Sequence, residues 1–375
     1  MPAERMIMLA LVTDAYGAGG GIAQYNRDWL AAIASAEGCE QIAVIARHGR
    51  IVTNGVPSKV HQLGIGKGRL SFLMRATVAS LRLPRVDVIF CGHLFMVPLA
   101  VVLARVSGAQ VWLQLHGIEA WERPGFLLRW AVERVQLVTA VSRHTRRLFL
   151  QWARCTPESV KVLPNTVAGE FTPGPLSADL QTRHGTAGRR VLLTVSRLAA
   201  SEQYKGHDRV IQALAALRLQ EPDLLYLIAG EGDDKPRLAA LVHKLQLGEH
   251  VRFIGYVPDA ELPALYRLAD VFVMPSSGEG FGIVFLQAAA TGIPVVAGDS
   301  DGSRDPLRDG AAGYLVATSD TQAIAAQISA ALKADRPAVA DTGVFCTKNF
   351  AALAVSLAAL SDSGPKKATG EKVKG

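Results

Sequence analysis

The segment of residues 270–297 is the feature that most constrains the fold of this chain. Residues 270–274 form a short apolar, β-branched run, which is typical of a strand buried on both faces. Alternate glycines follow over residues 278–282, and residues 283–291 can form a helix. A strand that leads into a glycine loop and a helix N-terminus directs several backbone N–H groups at one point, which favours phosphate. The segment therefore predicts a Rossmann-like unit with an anion site.

Composition supports a large globular protein. The chain has 375 residues, of which 49% are hydrophobic and 19% charged, enough for two or three domains. Its 4 cysteines have no paired spacing, so we expect neither a zinc site nor a disulfide framework, as in a reducing cytosol. The most apolar run, residues 94–104, is too short to span a bilayer.

Strand-like and helix-like segments alternate along the whole chain, with one interruption rich in proline and glycine. We therefore predict an α/β protein with two Rossmann-like βα domains. The predicted parts are an N-terminal Rossmann-like domain (1–167), a linker (168–189), a C-terminal Rossmann-like domain (190–345), a helix that crosses back to the first domain (346–360) and a disordered tail (361–375).

The first half contains a second glycine loop, at residues 17–21, between a predicted strand and a helix. A dinucleotide fingerprint would require a third glycine where Ile22 stands, so the pattern argues against a Rossmann oxidoreductase. His116 lies at the end of another predicted strand, where open parallel sheets bind ligands. An isolated histidine is more often structural, but this position favours a functional one.

Basic residues follow the first strand of the second half. Arg197 lies just past its end, and Lys205 opens the next helix after a polar loop. Arginine and lysine beside a polar loop are common, but here they accompany the glycine loop. Asp299 and Asp301 have the spacing of a metal-binding pair, which we interpret as a coincidence, and we predict no metal site.

The run Glu279-Gly-Phe-Gly-Ile-Val-Phe-Leu-Gln287 resembles the signature of family 4 retaining glycosyltransferases, in which seven residues separate two glutamates. This chain keeps the spacing but has Gln287 at the second position. The resemblance implies the GT-B fold, in which two Rossmann-like domains face each other across a cleft. It makes 1–167 the acceptor-side domain and 190–345 the nucleotide-sugar donor domain. It covers roughly residues 7–316 and is strongest over 190–316.

The resemblance also implies roles for individual residues. In the family the first acid contacts the transferred sugar, the second holds the ribose, and a Ser-Arg pair with a following Lys-Gly binds the donor diphosphate. The loop between Arg197 and Lys205 is about two residues longer than is usual there. The implied assignments are catalytic, His116 and Glu279; diphosphate-binding, Arg197, Lys205, Gly20, Gly21, Gly282, Ile283 and Val284; sugar-binding, Glu279, Gly280, Phe281 and Gly282; nucleotide ribose and base, Gln287, Tyr256 and Val257.

The expected reaction is retaining transfer of a hexose from a nucleotide sugar to a glycan or lipid-linked acceptor, without a metal or other cofactor. Residues 282–286 and 297–302 resemble bacterial mannosyltransferases of polysaccharide or glycolipid synthesis, which favours GDP-mannose as donor. Three alternatives remain at this point. They are a GT-B enzyme of the 2-epimerase type that uses no acceptor, a Rossmann oxidoreductase, and a degenerate sugar-nucleotide binding protein.

The positive charge of the chain is uneven. The net charge is +7, and its excess lies within the first 170 residues, while the remainder is almost neutral. The two interpretations are a solvated basic surface and an electrostatic attraction to an anionic membrane face or a diphosphate-linked acceptor. Nucleic acid is not expected, since no basic motif is interleaved with aromatic residues. We expect a cytoplasmic protein, peripheral on the inner face of the plasma membrane.

Overall fold

The computed structural model describes residues 5–17, 19–334 and 342–362. The chain divides into two compact units. The first unit contains the described residues up to Ala140, Leu148–Leu163 and those from Phe350 on. The second unit contains Val141–Arg147 and the described part of Pro164–Asn349. Of the disordered tail predicted for 361–375, the part from residue 363 on lies outside the described residues.

The elements follow one another as strands and helices in alternation. The strands are β1 (Met6–Val12), β2 (Cys39–Ala46), β3 (Val60–Ile65), β4 (Val88–Cys91), β5 (Gln110–Leu115), β6 (Leu137–Ala140), β7 (Val160–Val162), β8 (Arg190–Val195), β9 (Leu224–Ala229), β10 (Val251–Gly255), β11 (Val271–Met274), β12 (Val295–Gly298) and β13 (Tyr314–Val316). The α-helices are α1 (Gly21–Ser35), α2 (Arg69–Arg82), α3 (Val97–Ser107), α4 (Phe126–Val132), α5 (Arg143–Leu150), α6 (Ala178–His184), α7 (His207–Leu217), α8 (Lys235–Lys244), α9 (Leu262–Leu268), α10 (Ile283–Ala290), α11 (Thr321–Lys333) and α12 (Thr347–Asp362). Short 3-10 turns cover Leu94–Met96, Ile118–Ala120, Pro157–Ser159, Ala200–Lys205, Gly302–Arg304, Arg308–Gly310 and Thr342–Phe345.

The first unit is built on a parallel sheet. Its strands lie in the order β3-β2-β1-β4-β5-β6-β7, and each described pair is parallel. All four residues of β4 are buried, as are six of the seven in β1, because helices cover both faces of a parallel sheet. The chain winds outward in one direction from β1 and in the other from β4. The carboxyl ends of these two strands therefore form the topological switch point of the unit, where open sheets bind ligands.

The second unit repeats this design. Its sheet has the strand order β10-β9-β8-β11-β12-β13, again with parallel pairs. The winding reverses between β8 and β11, which are neighbours in the sheet. The residues that follow β8 and β11 are therefore expected to lie together at the second switch point.

The predicted linker differs from the structure, which places a helix within it. Ser177 accepts a hydrogen bond from the Leu180 N–H at the start of α6, and Gly185 ends the helix in the left-handed conformation. Leu180 is buried, and Arg183 lies 2.8 Å from Glu261. Residues 168–189 thus belong to the second unit, because the capping and packing of α6 outweigh the high content of proline and glycine.

The boundaries of the first unit also differ from the predicted 1–167. Residues 141–147 belong to the second unit, where the Arg143 guanidinium lies 2.9 Å from Asp305 and from Asp309. At the other end of the chain, α12 brings Phe350 to the first unit, where its ring packs edge-on against Tyr25 at 5.6 Å. Within the described residues, none of the helices is both long and apolar enough to cross a bilayer.

Candidate active site

Two loops of the second unit pack closely at its switch point. One is the 3-10 turn Ala200–Lys205 after β8, and the other is residues 275–282 after β11. The Ser277 N–H donates to the Tyr204 carbonyl at 3.0 Å. A Cβ on Gly278 would lie 2.6 Å from the Tyr204 ring, so only glycine permits this approach. The strand order therefore brings together the two sequence segments that were predicted to bind the donor.

The predicted diphosphate-binding cations, Arg197 and Lys205, share one carboxylate at this point. Lys205 Nζ lies 2.7 Å from Glu202 Oε2, and Arg197 Nη2 contacts the other oxygen of the same carboxylate. The Lys205 side chain is only 10% exposed, whereas that of Arg197 is 77% exposed. Lys205 is thus fixed by its surroundings, while Arg197 remains accessible to a ligand.

The glycine loop ends at the N-terminus of α10. Gly282 is the N-cap residue with φ 79°, and a Cβ there would meet the Phe285 ring at 2.4 Å. The N–H groups at the first two helical positions, those of Ile283 and Val284, have no acceptor in a preceding helical turn and can bind an anion. Phe281 differs from the prediction of a sugar contact, because its side chain is buried against Phe345. Only its backbone remains for that role.

Glu279 is held by a residue that the sequence did not identify. The Glu279 N–H donates to Asp301 Oδ2 at 2.7 Å, and the Ser303 N–H donates to Asp301 Oδ1 at 2.9 Å. The Gly302 N–H donates a hydrogen bond to the Glu279 carbonyl at 2.8 Å. A Cβ on Gly302 would lie only 2.1 Å from the Gly280 carbonyl oxygen, so the two loops approach too closely for a side chain at this position. Asp301, predicted to be coincidental, is therefore a buried anchor of the Glu279 loop.

The Glu279 carboxyl group has an unusual acidity. Burial raises its pKa to about 7, and the charges of Asp301 and Glu202 act in the same direction. Lys205, and to a smaller extent Arg197, lower the pKa and oppose this shift. A carboxyl group with a pKa near neutrality beside two cations is typical of a functional site.

The residues predicted to bind the nucleoside lie on separate elements. Gln287 is half-buried on α10, and its Oε1 accepts a hydrogen bond from the Tyr266 hydroxyl at 3.0 Å. Tyr256 and Val257 follow β10, the edge strand of the sheet, and the Tyr256 side chain is exposed. The buried partner of Gln287 was not identified from the sequence, because Tyr266 is 21 residues away and fits an apolar helix face.

The first unit places His116 directly after β5, at the predicted position. Its Nε2 is 3.0 Å from the Gly92 carbonyl, and its backbone N–H donates to Glu119. Because a carbonyl can only accept, Nε2 carries the proton and Nδ1 is free of it in the neutral ring. Burial lowers the pKa of His116 to about 4, so the imidazole is neutral at physiological pH. Tyr25 packs edge-on against the ring at 5.1 Å.

The glycine loop of the first unit lies at its own switch point. Gly20 is the N-cap residue of α1 with φ 99°, and Gly21 begins the helix. A Cβ on Gly20 would have no neighbour within 4 Å, so the glycine is required by its backbone conformation and not by packing. Asn26, which the sequence did not identify, is buried and donates to the Asp14 carbonyl at 2.7 Å, which ties α1 to this loop.

Two family models match consecutive parts of the chain. The model described as "Glycosyltransferase Family 4" matches residues 19–170, and the model described as "Glycosyl transferases group 1" matches residues 180–341. The first match includes residues 19–167 of the first predicted domain, and the second includes residues 190–341 of the second.

The chain is also similar in sequence to curated mycobacterial proteins. A GDP-mannose-dependent alpha-(1-6)-phosphatidylinositol monomannoside mannosyltransferase of Mycolicibacterium smegmatis is 36% identical over 258 residues, which are 65% of this chain and 67% of that protein. The protein of the same name from Mycobacterium tuberculosis is 35% identical over 235 residues, covering 58% of this chain and 60% of the relative.

Among solved structures, Anabaena Alr3699/HepE in complex with UDP-glucose has a TM-score of 0.72 at 22% identity and covers 95% of both chains. Sucrose-phosphate synthase from Thermosynechococcus elongatus has a TM-score of 0.74 at 19% identity and covers 95% of this chain and 99% of that one. At these identities the likeness concerns the fold.

Proposed function

This chain belongs to glycosyltransferase family 4 and has the GT-B fold, and from this premise we propose that it transfers mannose from GDP-mannose, with retention of configuration, to a glycan or lipid-linked acceptor. Support for the donor comes from the names of the mycobacterial relatives, which are GDP-mannose-dependent. The aligned region spans about two thirds of the first relative and 60% of the second. The acceptor is therefore proposed only as a class.

The observation that carries the proposal is the group of charges at the second switch point. Arg197, Lys205 and the N-terminus of α10 surround one loop that presents Glu279. In the proposed reaction the bond from the anomeric carbon to the diphosphate breaks, and a bond to the acceptor oxygen forms. The acceptor proton passes to the leaving diphosphate. Two cations and a helix N-terminus stabilise the negative charge that develops on that diphosphate, and no metal is required for this.

Glu279 and His116 are proposed to contact the transferred sugar. An ionised Glu279 accepts hydrogen bonds from sugar hydroxyls, and Asp301 fixes the backbone from which it projects. His116 is neutral, and its ring is oriented by the Gly92 carbonyl, so it adds a polar contact without a positive charge. A neutral group suits a site where an electron-poor anomeric carbon develops.

We further propose that the first unit docks on an anionic membrane through α2. Leu70, Met74 and Leu81 are 81%, 62% and 68% exposed, and their spacing of four and seven residues places them on one face. Arg69 and Arg82 are exposed at the two ends of the helix. An apolar face flanked by arginines is suited to the boundary between lipid headgroups and acyl chains. Lipid-linked acceptors reside there.

Membrane docking can be tested by flotation. Replacing both Leu70 and Leu81 by serine is expected to reduce co-flotation with anionic vesicles several-fold, because less apolar surface is then buried in the interface. Raising the salt concentration is expected to weaken binding of the wild type. Leu219→Ser is the matched control, since Leu219 is equally exposed but lies in the second unit. Equal partitioning of the wild type onto neutral vesicles would contradict the proposal.

The proposed activity can be tested with the purified chain and a panel of GDP-, UDP- and ADP-sugars. Faster hydrolysis of GDP-mannose than of the other donors is expected, together with an α-linked product when an acceptor is supplied. A product that forms without an acceptor and is an epimerised sugar would indicate the 2-epimerase type. Binding without turnover would indicate a degenerate protein, and nicotinamide absorbance would indicate an oxidoreductase.

A further inference from the structure

The turn between β8 and α7 inserts an acid into the proposed diphosphate site. Glu202 is only 13% exposed, and its two carboxylate oxygens contact Lys205 and Arg197 separately. These are the two cations that the proposed function assigns to the donor. One side chain of the protein therefore pairs with both of them.

The backbone of this turn is irregular at Glu202 and anchored on either side of it. Glu202 has φ −116° and ψ 29°, which interrupts the 3-10 turn Ala200–Lys205. The Ala200 N–H donates to Asp233 at 2.7 Å, and Gly206, which follows Lys205, packs against the Pro275 carbonyl. The ends of the turn are thus fixed, while Glu202 is held by its two ion pairs.

We propose that Glu202 is an internal competitor of the donor diphosphate, an inference that rests on the proposed function. A diphosphate carries the same kind of charge as Glu202 and seeks the same two cations. When it binds, Glu202 gives up its ion pairs, and binding is weakened by the free energy of breaking them. The nucleoside diphosphate product has the same group, so Glu202 also promotes its release. Glu202 therefore sets the affinity for the diphosphate and the ease of product release, and it does not contact the reacting atoms.

A merely structural role predicts the opposite effect of a substitution. If Glu202 served only to position Arg197 and Lys205, its removal would disorder both cations and weaken the binding of any diphosphate. If Glu202 competes with the ligand, its removal frees both cations and strengthens binding. The sign of the change in affinity separates the two roles.

The experiment compares the wild type with Glu202→Gln, which preserves size and removes the charge. Titrations use GDP and, separately, inorganic pyrophosphate. We expect the dissociation constants of both ligands to fall by roughly tenfold in the variant, as for the loss of one close charge contact. Glu249→Gln is the matched control, because Glu249 is exposed before β10, at the opposite end of the sheet from the site, and its replacement should change neither constant.

A second variant guards against a folding defect. Glu202→Asp keeps the charge but is too short to reach both cations, so a smaller tightening of the same sign is expected. Unchanged or weaker pyrophosphate binding in the folded Gln variant would overturn the inference. If GDP binds to neither form while pyrophosphate binds more tightly to Glu202→Gln, the inference stands as a property of the anion site, and the nucleotide donor assignment fails instead.

Discussion

The switch points of the two units differ in their ionisable side chains: in the second unit two cations pair with one carboxylate, whereas in the first unit burial shifts two histidines and an aspartate towards their neutral forms. In the second unit Arg197 and Lys205 pair with Glu202, and burial raises the pKa values of the neighbouring acids Glu279 and Asp301. In the first unit, burial lowers the pKa values of His93 and His116 and raises that of Asp14. Two units of like topology can therefore present surfaces of different chemistry. A charged surface suits a diphosphate, and a neutral one suits hydroxyl groups.

The largest effect is expected from removing a cation of the second unit. Lys205→Ala should lower turnover by roughly a hundredfold, on the scale of one lost donor to a developing anion. The measurement is kcat with the preferred nucleotide sugar. Lys244→Ala, at the exposed end of α8, is the control and should retain full turnover. Normal kcat in Lys205→Ala would mean that the lengthened loop takes Lys205 out of the reaction, and the contrast between the two units would lose its functional meaning.

The second-largest effect is expected in the pH dependence of activity, where Glu279 of the second unit should titrate and His116 of the first unit should not. The pKa of Glu279 is raised to about 7, so the ionised form that we propose binds the sugar is lost as pH falls through that value. We expect kcat/KM to fall by about tenfold per pH unit below pH 7. The pKa of His116 is lowered to about 4, so its ring stays neutral above pH 5 and does not change kcat/KM in this range.

Glu279→Gln sharpens this prediction. The variant should have lower activity but no acid limb, because its amide does not titrate. If the activity of Glu279→Gln still falls at acidic pH, or if that of the wild type falls only near pH 4, the titration belongs to another group.

The same pKa shifts predict opposite effects of pH on the stability of the ligand-free protein. Glu279 contributes stability at low pH that is lost as pH rises through 7, and His116 contributes stability above pH 6.5 that is lost towards pH 4.

The fold and the charged positions could be predicted from the sequence because their signals are local. Arg197 and the glycine loop each follow a β-branched run directly, and parallel strands place such positions along one sheet edge. Asp301 and Glu202 could not be assigned in the same way. Asp301 acts on a backbone N–H that is 22 residues away, and Glu202 looks like any acid in a polar turn until its two partners are in place.

The difference between local and distant interactions also explains why Phe281 and α6 were predicted wrongly. The family resemblance implied a sugar contact for Phe281, but its side chain is buried because Phe345 offers it an apolar surface. Helix α6 was missed because proline and glycine around it suggested a linker, although Ser177 and Gly185 are ordinary capping residues. In each case the deciding interaction is with a distant part of the chain or with the ends of a short element.

The smallest effect is expected at Gln287, where the chain departs from the family signature. Its amide oxygen already accepts from the Tyr266 hydroxyl, which leaves the NH₂ group for the proposed bond to a ribose hydroxyl. In Gln287→Glu, one carboxylate oxygen keeps the bond to Tyr266, and the other accepts a charge-assisted bond from the ribose. We expect the affinity for the nucleoside diphosphate to rise by about 1 kcal/mol, the usual net value of one hydrogen bond. Titration with GDP measures it.

Turnover should change less than affinity in Gln287→Glu, because ribose contacts are the same in the ground and transition states. Gln212→Glu is the control, since it adds the same charge at an exposed position of α7. A weaker affinity in Gln287→Glu would mean that the added charge is repelled by the diphosphate more strongly than it attracts the ribose. If the wild type binds no nucleotide and Gln287→Glu restores both binding and transfer, the wild type is a degenerate member of its family. The charges of the second unit would then be the remnant of a donor site, because their geometry persists without the ribose contact that makes it productive.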